Sequence, residues 1–196
     1  LVAAIRGKSK KCLVLDLDDT LWGGVIGDDG MNGIQIAEGD PLGEAYRDLQ
    51  STVLALKERG IILAVSSKND EEIARQVFRE HPEMLLREKD ISVFQANWQD
   101  KPSNLEAIAR ALNIGVDSLV LLDDNPVERA MVRTELPVVA VPELPDEPAL
   151  YAWTLLNAGY FETVAYSLED RMRSDQYRAN AARAELASTI RNVDDF

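Results

Sequence analysis

The sequence has 196 residues, 46% of them hydrophobic, and a formal net charge of −13. This length suits one well-filled core with a small appendage, and the acidic balance argues against nucleic acid as a partner because phosphate backbones are bound through an excess of Lys and Arg. No apolar run approaches the roughly 18 residues of a membrane span, and the single Cys excludes an internal disulfide and is typical of a cytoplasmic protein.

Short apolar runs alternate with helical patterns along the chain. Five runs are rich in Val, Ile and Leu, as expected for strands buried on both faces of a parallel sheet, at residues 12–17, 61–66, 91–94, 118–122 and 138–141. Four segments have apolar residues at helical spacing, at residues 46–56, 73–78, 105–112 and from Pro126 onward. This alternation predicts an α/β fold with a doubly wound, Rossmann-like parallel sheet of five strands.

A proline-rich acidic connector at 142–148 follows the fifth run, so we expect a sheet domain over 1–148 and an appendage over 149–196. The appendage contains helical patterns at roughly 149–157 and 169–190, which either pack on the sheet domain or leave a free interaction helix. Glycines at 23, 24, 27, 30 and 33 predict a turn and a β-hairpin flap at about 22–39. A flap this short cannot fold as a lid domain, so any site beneath it is expected to be open.

The first apolar run ends in DLDDT, residues 16–20. Side chains alternate along a strand, so Asp16 and Asp18 project the same way at the carboxyl end of a buried strand, where open α/β sheets bind ligands. Two carboxylates at that range repel each other, and a divalent cation is their natural partner. A DxD pair by itself is equally typical of an acidic turn that caps the next element.

Other chain segments bring chemically useful groups to the same edge of the predicted sheet. Ser66 and Ser67 close the second run, and Asp123 and Asp124 end the fourth. Lys101 precedes the third long helix. A hydroxyl, an ammonium, metal-binding carboxylates and a carboxylate nucleophile together bind and attack a phosphoryl group.

In chain order, DLDDT, VSS, Lys101 and LLDDN closely resemble the four motifs of the haloacid dehalogenase (HAD) superfamily of phosphotransferases. More narrowly, the stretches LVLDLDDTLWGGVIGDDG, SSKND, LLDDNPVER and LEDRMRSDQYRANAAR look like the FkbH-like branch, phosphatase subfamily IIIC. The resemblance spans essentially the whole chain. It implies a capless HAD fold and a Mg²⁺-dependent phosphoryl-transfer enzyme.

The resemblance also implies roles for individual residues. Asp16 would be the nucleophile that forms an aspartyl phosphate, and Asp18 the general acid and base. Asp16, the backbone carbonyl of Asp18, and Asp124 would hold Mg²⁺, while Asp123 is either a further metal carboxylate or a support behind the site. Lys101 would neutralise charge on the phosphoryl oxygens and on Asp16.

Several substrate-side assignments stay open at this point. The phosphate-binding hydroxyl is Ser66 or Ser67, and Thr20 is counted among the phosphate-binding groups. Trp22 follows the catalytic loop and either lines the pocket or staples the flap.

Lys68 follows the serines and lies in the predicted loop at the catalytic edge. It either serves a partner or a distal substrate phosphate, or it points to solvent or pairs with Asp70 or Glu71. Cys12 lies four residues before Asp16, roughly 13 Å away along a strand, so core packing is favoured over an acyl-carrying role. His81, at a predicted helix end, is expected on the surface.

FkbH-like domains are associated with taking a glyceryl unit from 1,3-bisphosphoglycerate, removing phosphate, and delivering the acyl group to an acyl carrier protein thiol. The resemblance therefore implies a small phosphorylated three-carbon substrate and, as partner, a carrier protein with a phosphopantetheine arm. Because the chain begins on Leu1, we expect part of a larger polyketide synthase polypeptide. The alternatives are a simple phosphatase acting on a small phosphomonoester or phosphoprotein, and a non-catalytic docking module.

Overall fold

The structure, a computed structural model, describes residues 10–162 together with residues 176, 177, 179, 180 and 183. Within these residues one sheet has four parallel strands in the order β3-β2-β1-β4. They are β1 (Cys12–Leu15), β2 (Ile62–Ser67), β3 (Val93–Ala96) and β4 (Leu119–Leu122). Cys12 of the central strand β1 pairs with Ile62 of β2 on one side and with Leu119 of β4 on the other. The predicted α/β class is confirmed.

The described part of the chain contains six α-helices: α1 (Ile26–Asp29), α2 (Pro41–Glu58), α3 (Glu71–Glu80), α4 (Lys101–Leu112), α5 (Pro126–Glu135) and α6 (Tyr151–Asn157). Single 3₁₀ turns occur at Glu88–Asp90, Val116–Ser118 and Pro148–Leu150. The helices α2 to α5 begin after a residue whose side chain accepts a hydrogen bond from the first helical turn, namely Asp40, Asp70, Asp100 and Asn125. Such caps satisfy amides that have no partner within the helix, so each helix starts at a defined point after its strand or loop.

Both faces of the sheet are covered by helices. Leu13 and Leu15 of β1 pack in a buried cluster with residues of α2 and α3. Cys12 and Val14 point the other way and pack with residues of α4 and α5. The alternation along β1 therefore builds a three-layer α/β/α core, in which all four strand residues are fully buried.

The strand order creates a crevice at the carboxyl edge of the sheet. The chain adds β2 and β3 on one side of β1 and then crosses to add β4 on the other side. Connections that leave a parallel sheet in opposite directions open a crevice between the two strands, which is where such sheets bind ligands. Here the crevice lies between the ends of β1 and β4. The two strands end at Leu15 and Leu122, and Asp16 and Asp123 are the next residues.

The predicted fifth strand is wrong. Residues 138–141 make only an isolated parallel bridge between Ala140 and Val120 of β4. Pro137 and Pro142 flank this run. Proline has no backbone N–H, so Pro142 cannot continue the pairing beyond the bridge, and on the other side the carbonyl oxygen of Val138 accepts a hydrogen bond from Nζ of Lys10.

The predicted β-hairpin flap is also wrong in form. Residues 22–39 contain the single helical turn α1 and one antiparallel bridge between Gly23 and Gln35. The backbone is tightly folded, since a Cβ at Gly33 would lie 2.3 Å from the carbonyl oxygen of Asp29. Glycine offers no side chain to pair across strands, so the segment closes on itself instead of forming a ladder.

The predicted appendage is described only in part. The ring of Tyr151 in α6 meets Tyr46 of α2 edge to face, with ring centroids 6.4 Å apart. The second predicted helix, at 169–190, lies outside the described residues except for five positions, and the domain boundary at 148 stays a prediction. Among the described residues, no helix combines the length and apolarity needed to cross a bilayer.

Candidate active site

Lys101 lies at the centre of the charged groups in the crevice. It is the first residue of α4, and its side chain is only 2% exposed. Its Nζ lies 2.8 Å from Oδ1 of Asp16 and 2.9 Å from Oδ2 of Asp123, and it donates a hydrogen bond of 2.7 Å to the carbonyl oxygen of Ser66. Burial disfavours the ammonium, but the charges of Asp16 and Asp123 outweigh burial and raise the pKa of Lys101. The lysine is therefore held charged between the ends of β1 and β4.

Three carboxylates converge beside this lysine. Asp16, Asp123 and Asp124 each place one oxygen within 4.8 Å of the other two. Burial, followed by the negative charge of Asp16, raises the pKa of Asp123 to about 6 and the pKa of Asp124 to about 6. One ammonium cannot neutralise three carboxylates, and clustered carboxylate oxygens are the ligands that Mg²⁺ prefers. The donor set therefore fits a divalent cation.

Asp124 is oriented from two directions. The Thr20 hydroxyl donates to its Oδ1 and accepts from its backbone N–H. Arg129 of α5 donates to the carbonyl oxygens of both Asp123 and Asp124. Thr20 is fully buried and is not among the residues that line the cleft, so the structure gives its predicted phosphate-binding role no support. It acts on the site by fixing the carboxylate of Asp124.

Asp18 is held by three donors. Its Oδ1 accepts from Nε1 of Trp22 at 2.9 Å and from the backbone N–H of Ile26 at 3.0 Å, and its Oδ2 accepts from Nδ2 of Asn69 at 2.9 Å. Burial raises the pKa of Asp18, while these three hydrogen bonds act in the opposite direction. Both oxygens are thus fixed in direction while one side of the carboxylate faces the cleft.

Trp22 is not among the residues that line the cleft, so of its two predicted roles pocket lining has no support here. It is fully buried, and its ring meets Phe78 of α3 edge to face with centroids 6.1 Å apart. The indole packs in the core while its N–H reaches Asp18. A large apolar residue directly after a catalytic loop is therefore compatible with core packing as well as with pocket lining.

The two serines of the second motif play different parts. Ser67 lines the cleft, and its Oγ accepts a hydrogen bond of 3.0 Å from Asn69. Ser66 is fully buried, its hydroxyl has no hydrogen-bond partner, and it presents its backbone carbonyl to Lys101. Strand alternation turns neighbouring side chains to opposite faces, which explains why only one of the pair reaches the cleft.

These groups line an open cleft of about 210 Å³ at the carboxyl edge of the sheet. It is lined by Asp16, Asp18, Asp19, Val25, Ser67, Lys68, Lys101, Asp124, Asn125 and Glu128. Lys68 does not pair with Asp70 or Glu71; its Nζ lies 2.5 Å from Oε1 of Glu128 in α5. Asp70 instead caps α3.

Asn69 and Glu128 were not predicted as site residues. Their partners lie 51 and 60 residues away along the chain, so no local pattern reveals the contacts. The available signal was their position, since SSKND and LLDDNPVER each run from the end of a strand into the loop at the catalytic edge.

Two other reactive side chains lie elsewhere. Cys12 is fully buried in β1, and burial raises the pKa of its thiol well above its usual range, so it packs in the core as predicted. His81 is 8% exposed, which contradicts its predicted surface position. It is the C-cap residue directly after α3, and its Nδ1 accepts a hydrogen bond from the backbone N–H of Glu83. It is not among the residues that line the cleft.

The chain is similar to a solved structure that contains a phosphatase domain. The N-terminal part of protein BF1531 from Bacteroides fragilis, which contains a phosphatase domain and is complexed with Mg, is 53% identical with a TM-score of 0.81. The match covers 84% of this chain and 44% of that chain, so this chain spans less than half the length of its relative. A scan against protein-family models and a search of curated proteins give no match.

Two more distant structures are HAD-superfamily enzymes. One is a subfamily IA hydrolase from Geobacter sulfurreducens, 12% identical with a TM-score of 0.47 over 78% of this chain and 97% of that one. The other, from Bacteroides thetaiotaomicron in complex with magnesium and inorganic phosphate, is 12% identical with a TM-score of 0.46 over 69% and 94%.

Proposed function

We propose that this chain, which has the Rossmann-like fold of HAD phosphatase domains, is itself a Mg²⁺-dependent phosphatase that works through an aspartyl phosphate on Asp16. The observation that carries the proposal is the buried Lys101, ion-paired with Asp16 and Asp123 in the crevice between β1 and β4. The similarity to a Mg-complexed phosphatase domain supports it.

The residues divide the reaction between them. A carboxylate oxygen of Asp16 attacks phosphorus, and the bond from phosphorus to the leaving oxygen breaks while that oxygen takes a proton from Asp18. In the second half, Asp18 removes a proton from water as the water oxygen attacks phosphorus and releases Asp16. Lys101 lies against Asp16 and offers positive charge to the phosphoryl oxygens as their charge grows.

Asp16, Asp124 and the backbone carbonyl of Asp18 would hold Mg²⁺, with Asp123 as a further ligand or as a support through Lys101. When bound, the cation supplies Lewis-acid stabilisation of the transferring phosphoryl group. The clustering of three carboxylate oxygens within 4.8 Å supports this assignment.

Replacement of the nucleophile tests the proposal. Asp16→Asn removes charge and nucleophilicity with little change of volume, so Mg²⁺-dependent phosphate release should be lost while the fold remains. The exposed Asp28 in α1 offers a matched control, because Asp28→Asn makes the same change outside the cleft. Ordinary turnover by a folded Asp16→Asn protein would refute the mechanism.

The finer proposal is an FkbH-like activity. The carrier thiol would attack the C1 carbonyl of 1,3-bisphosphoglycerate or a related acyl phosphate donor, so that the thioester forms while the C1 phosphate leaves with the thiol proton. Asp16 would remove the phosphate at C3, which leaves a glyceryl-type acyl unit on the acyl carrier protein in polyketide biosynthesis. Direct attack of the carrier thiol on an acyl phosphate needs no acyl-carrying residue in this chain, which agrees with the burial of Cys12. The cleft is open to solvent, as access by a phosphopantetheine arm would require.

An apolar rim supports a macromolecular partner at this edge. We define the rim as Val25, Ile73, Trp98 and Val127, which are 39%, 44%, 77% and 67% exposed. Each lies in a loop or a first helical turn that follows a strand, so all belong to the edge of the sheet that carries the cleft. Exposed large apolar side chains are a feature of protein interaction sites, and these four lie at the same edge of the sheet as the cleft.

The discriminating experiment incubates the protein with 1,3-bisphosphoglycerate, Mg²⁺ and a phosphopantetheinylated carrier, and measures the intact mass of the carrier. Acyl addition supports loading, free phosphate alone leaves a simple phosphatase, and neither product favours a docking module.

Rim variants add a test of the partner. Trp98→Ala and Val127→Ser should slow carrier loading more than hydrolysis of a small phosphomonoester. Val138→Ser is the matched control, because Val138 is 55% exposed but its carbonyl meets Lys10, which precedes β1 at the opposite edge. Equal effects of Val127→Ser and Val138→Ser on loading would argue against the rim.

A further inference from the structure

Asn69 connects two groups of the proposed site. It lies two residues beyond Ser67, the last residue of β2, and is 5% exposed. Its Nδ2 donates to Oδ2 of Asp18 at 2.9 Å and to Oγ of Ser67 at 3.0 Å. Ionised Asp18 only accepts hydrogen bonds, so the amide nitrogen, and not its oxygen, faces it, and Oδ2 keeps a lone pair for this N–H when it carries a proton. Both N–H groups of the amide are therefore committed.

The hydrogen bonds of Asp18 distinguish its two oxygens. Oδ1 accepts from Trp22 and from the backbone of Ile26, which fills both of its acceptor positions. Among the residues that the structure describes, Oδ2 accepts from Asn69 alone, which leaves one position for a transferred proton. The oxygen that can exchange a proton with a leaving group is thus the oxygen that Asn69 holds.

The same amide determines what Ser67 can do. Because the Ser67 Oγ accepts an N–H from Asn69, its own proton remains available to another acceptor. Ser67 lines the cleft, so that acceptor can be a phosphoryl oxygen.

We infer that Asn69 is a positioning residue for protonation of the leaving group: its amide aims Oδ2 of Asp18 at the leaving oxygen and turns the Ser67 hydroxyl toward the phosphate. This inference rests on the proposed phosphatase function. In the first step the Asp16 oxygen forms its bond to phosphorus, the bond from phosphorus to the leaving oxygen breaks, and the proton on Oδ2 of Asp18 passes to that oxygen. Misorientation of Oδ2 would weaken only the proton transfer.

Substrates with different leaving groups separate this role from a general structural one. p-Nitrophenolate leaves readily without protonation, whereas the alkoxide of glycerol phosphate needs the proton. The parameter kcat/KM reports on steps up to the first irreversible one, which is transfer of the phosphoryl group to Asp16, so slow hydrolysis of the aspartyl phosphate does not mask the effect.

Asn69→Leu removes both N–H donors at similar volume. We expect kcat/KM for glycerol phosphate to fall about 100-fold, the lower end of general-acid contributions. For p-nitrophenyl phosphate the fall should be several-fold and come from the Ser67 contact. Asn104→Leu is the control, because Asn104 is 1% exposed, hydrogen-bonds Asn97 and does not line the cleft; it should change both substrates alike.

A rise in melting temperature with Mg²⁺ shows that a variant keeps the proposed metal site. If Asn69→Leu fails to fold, Asn69→Ala serves as a second variant. An equal fall for both substrates, or no fall for either, would overturn the inference while leaving the phosphatase proposal standing. Failure of the wild-type protein to hydrolyse both substrates would overturn the proposed function and the inference with it.

Discussion

Thr20 and Asp124 exchange two hydrogen bonds across the crevice, one from the Thr20 hydroxyl to Oδ1 of Asp124 at 3.0 Å and one from the Asp124 backbone N–H to the hydroxyl at 3.1 Å. The pair joins the loop after β1 to the end of β4, the two segments that carry the acidic cluster. A fully buried hydroxyl therefore sets the direction of a proposed metal ligand.

Thr20→Val keeps the shape of the side chain and removes both hydrogen bonds. We expect a loss of about 1–3 kcal/mol in the free energy of unfolding, because an N–H and a carboxylate oxygen lose their partner. Mg²⁺ affinity should fall about 10-fold or more, as is usual when a group that orients a ligand is removed. Titration calorimetry with Mg²⁺ measures the second effect. Thr20→Ser is the control that keeps the hydroxyl, and unchanged affinity in Thr20→Val would contradict this role.

The groups at strand ends could be predicted from the sequence, because a buried strand places its terminal side chains at a known edge. Asp16 and Asp123 meet for this reason, and Lys101 reaches them from the first turn of the helix that follows β3. The roles of Thr20 and Trp22 could not be predicted, because both lie in a loop. A shift of one residue along a loop changes whether a side chain faces the cleft or the core. Asn69 depends on a contact with Asp18 that only the packed tertiary structure creates. The prediction of a fifth strand was wrong because Pro142 lacks the N–H that further pairing with β4 needs, whatever the apolar pattern.

The acidic cluster makes the effect of Mg²⁺ depend on pH. Burial and the charge of Asp16 raise the pKa of Asp123 and of Asp124 from 3.8 to about 6. A raised carboxyl pKa means that the folded chain binds protons more tightly than the unfolded chain, so without a cation this contribution to stability is lost as pH rises from about 4 through about 6. Mg²⁺ competes with those protons and offsets the repulsion that follows their loss.

We therefore expect saturating Mg²⁺ to raise the melting temperature more at about pH 7.5 than at about pH 5. Asp124→Ala should blunt the response at the higher pH, whereas the exposed Asp28→Ala should not. Scanning calorimetry with and without Mg²⁺ gives the result directly. Identical melting curves at the higher pH would argue against a metal site.

Asp19 adopts a left-handed backbone conformation, with φ of 51°. Its Oδ1 accepts a hydrogen bond of 2.8 Å from the backbone N–H of Gly24. Asn tolerates this conformation and keeps an oxygen acceptor, so Asp19→Asn should change the free energy of unfolding by less than about 0.5 kcal/mol. Asp19→Val should cost about 2 kcal/mol, because a β-branched residue is strained there and the hydrogen bond is lost. Urea denaturation measures the free energy of unfolding of both variants. Equal values would show that the backbone at position 19 leaves the left-handed conformation at no cost.

Lys68 and Glu128 form an ion pair at the rim of the cleft, between the loop after β2 and the first turn of α5. The Lys68 side chain is 44% exposed, whereas that of Glu128 is 11% exposed. Glu128 therefore holds a cation that still faces solvent at the open side of the site. In a chain of net charge −13, such a local cation matters more to an anionic partner than the overall charge does.

Lys68→Glu places a second carboxylate against Glu128 and should slow carrier loading strongly at low salt, with a smaller difference from wild type at high salt because screening weakens the repulsion. Hydrolysis of a small phosphomonoester with a neutral leaving group should fall much less. The charge swap Lys68→Glu with Glu128→Lys restores the ion pair and hence the melting temperature, but it moves the cation into α5 and should not restore loading. Full recovery of loading by the swap would mean that the pair only supports the fold, and equal losses in loading and hydrolysis would place Lys68 against the transferring phosphoryl group.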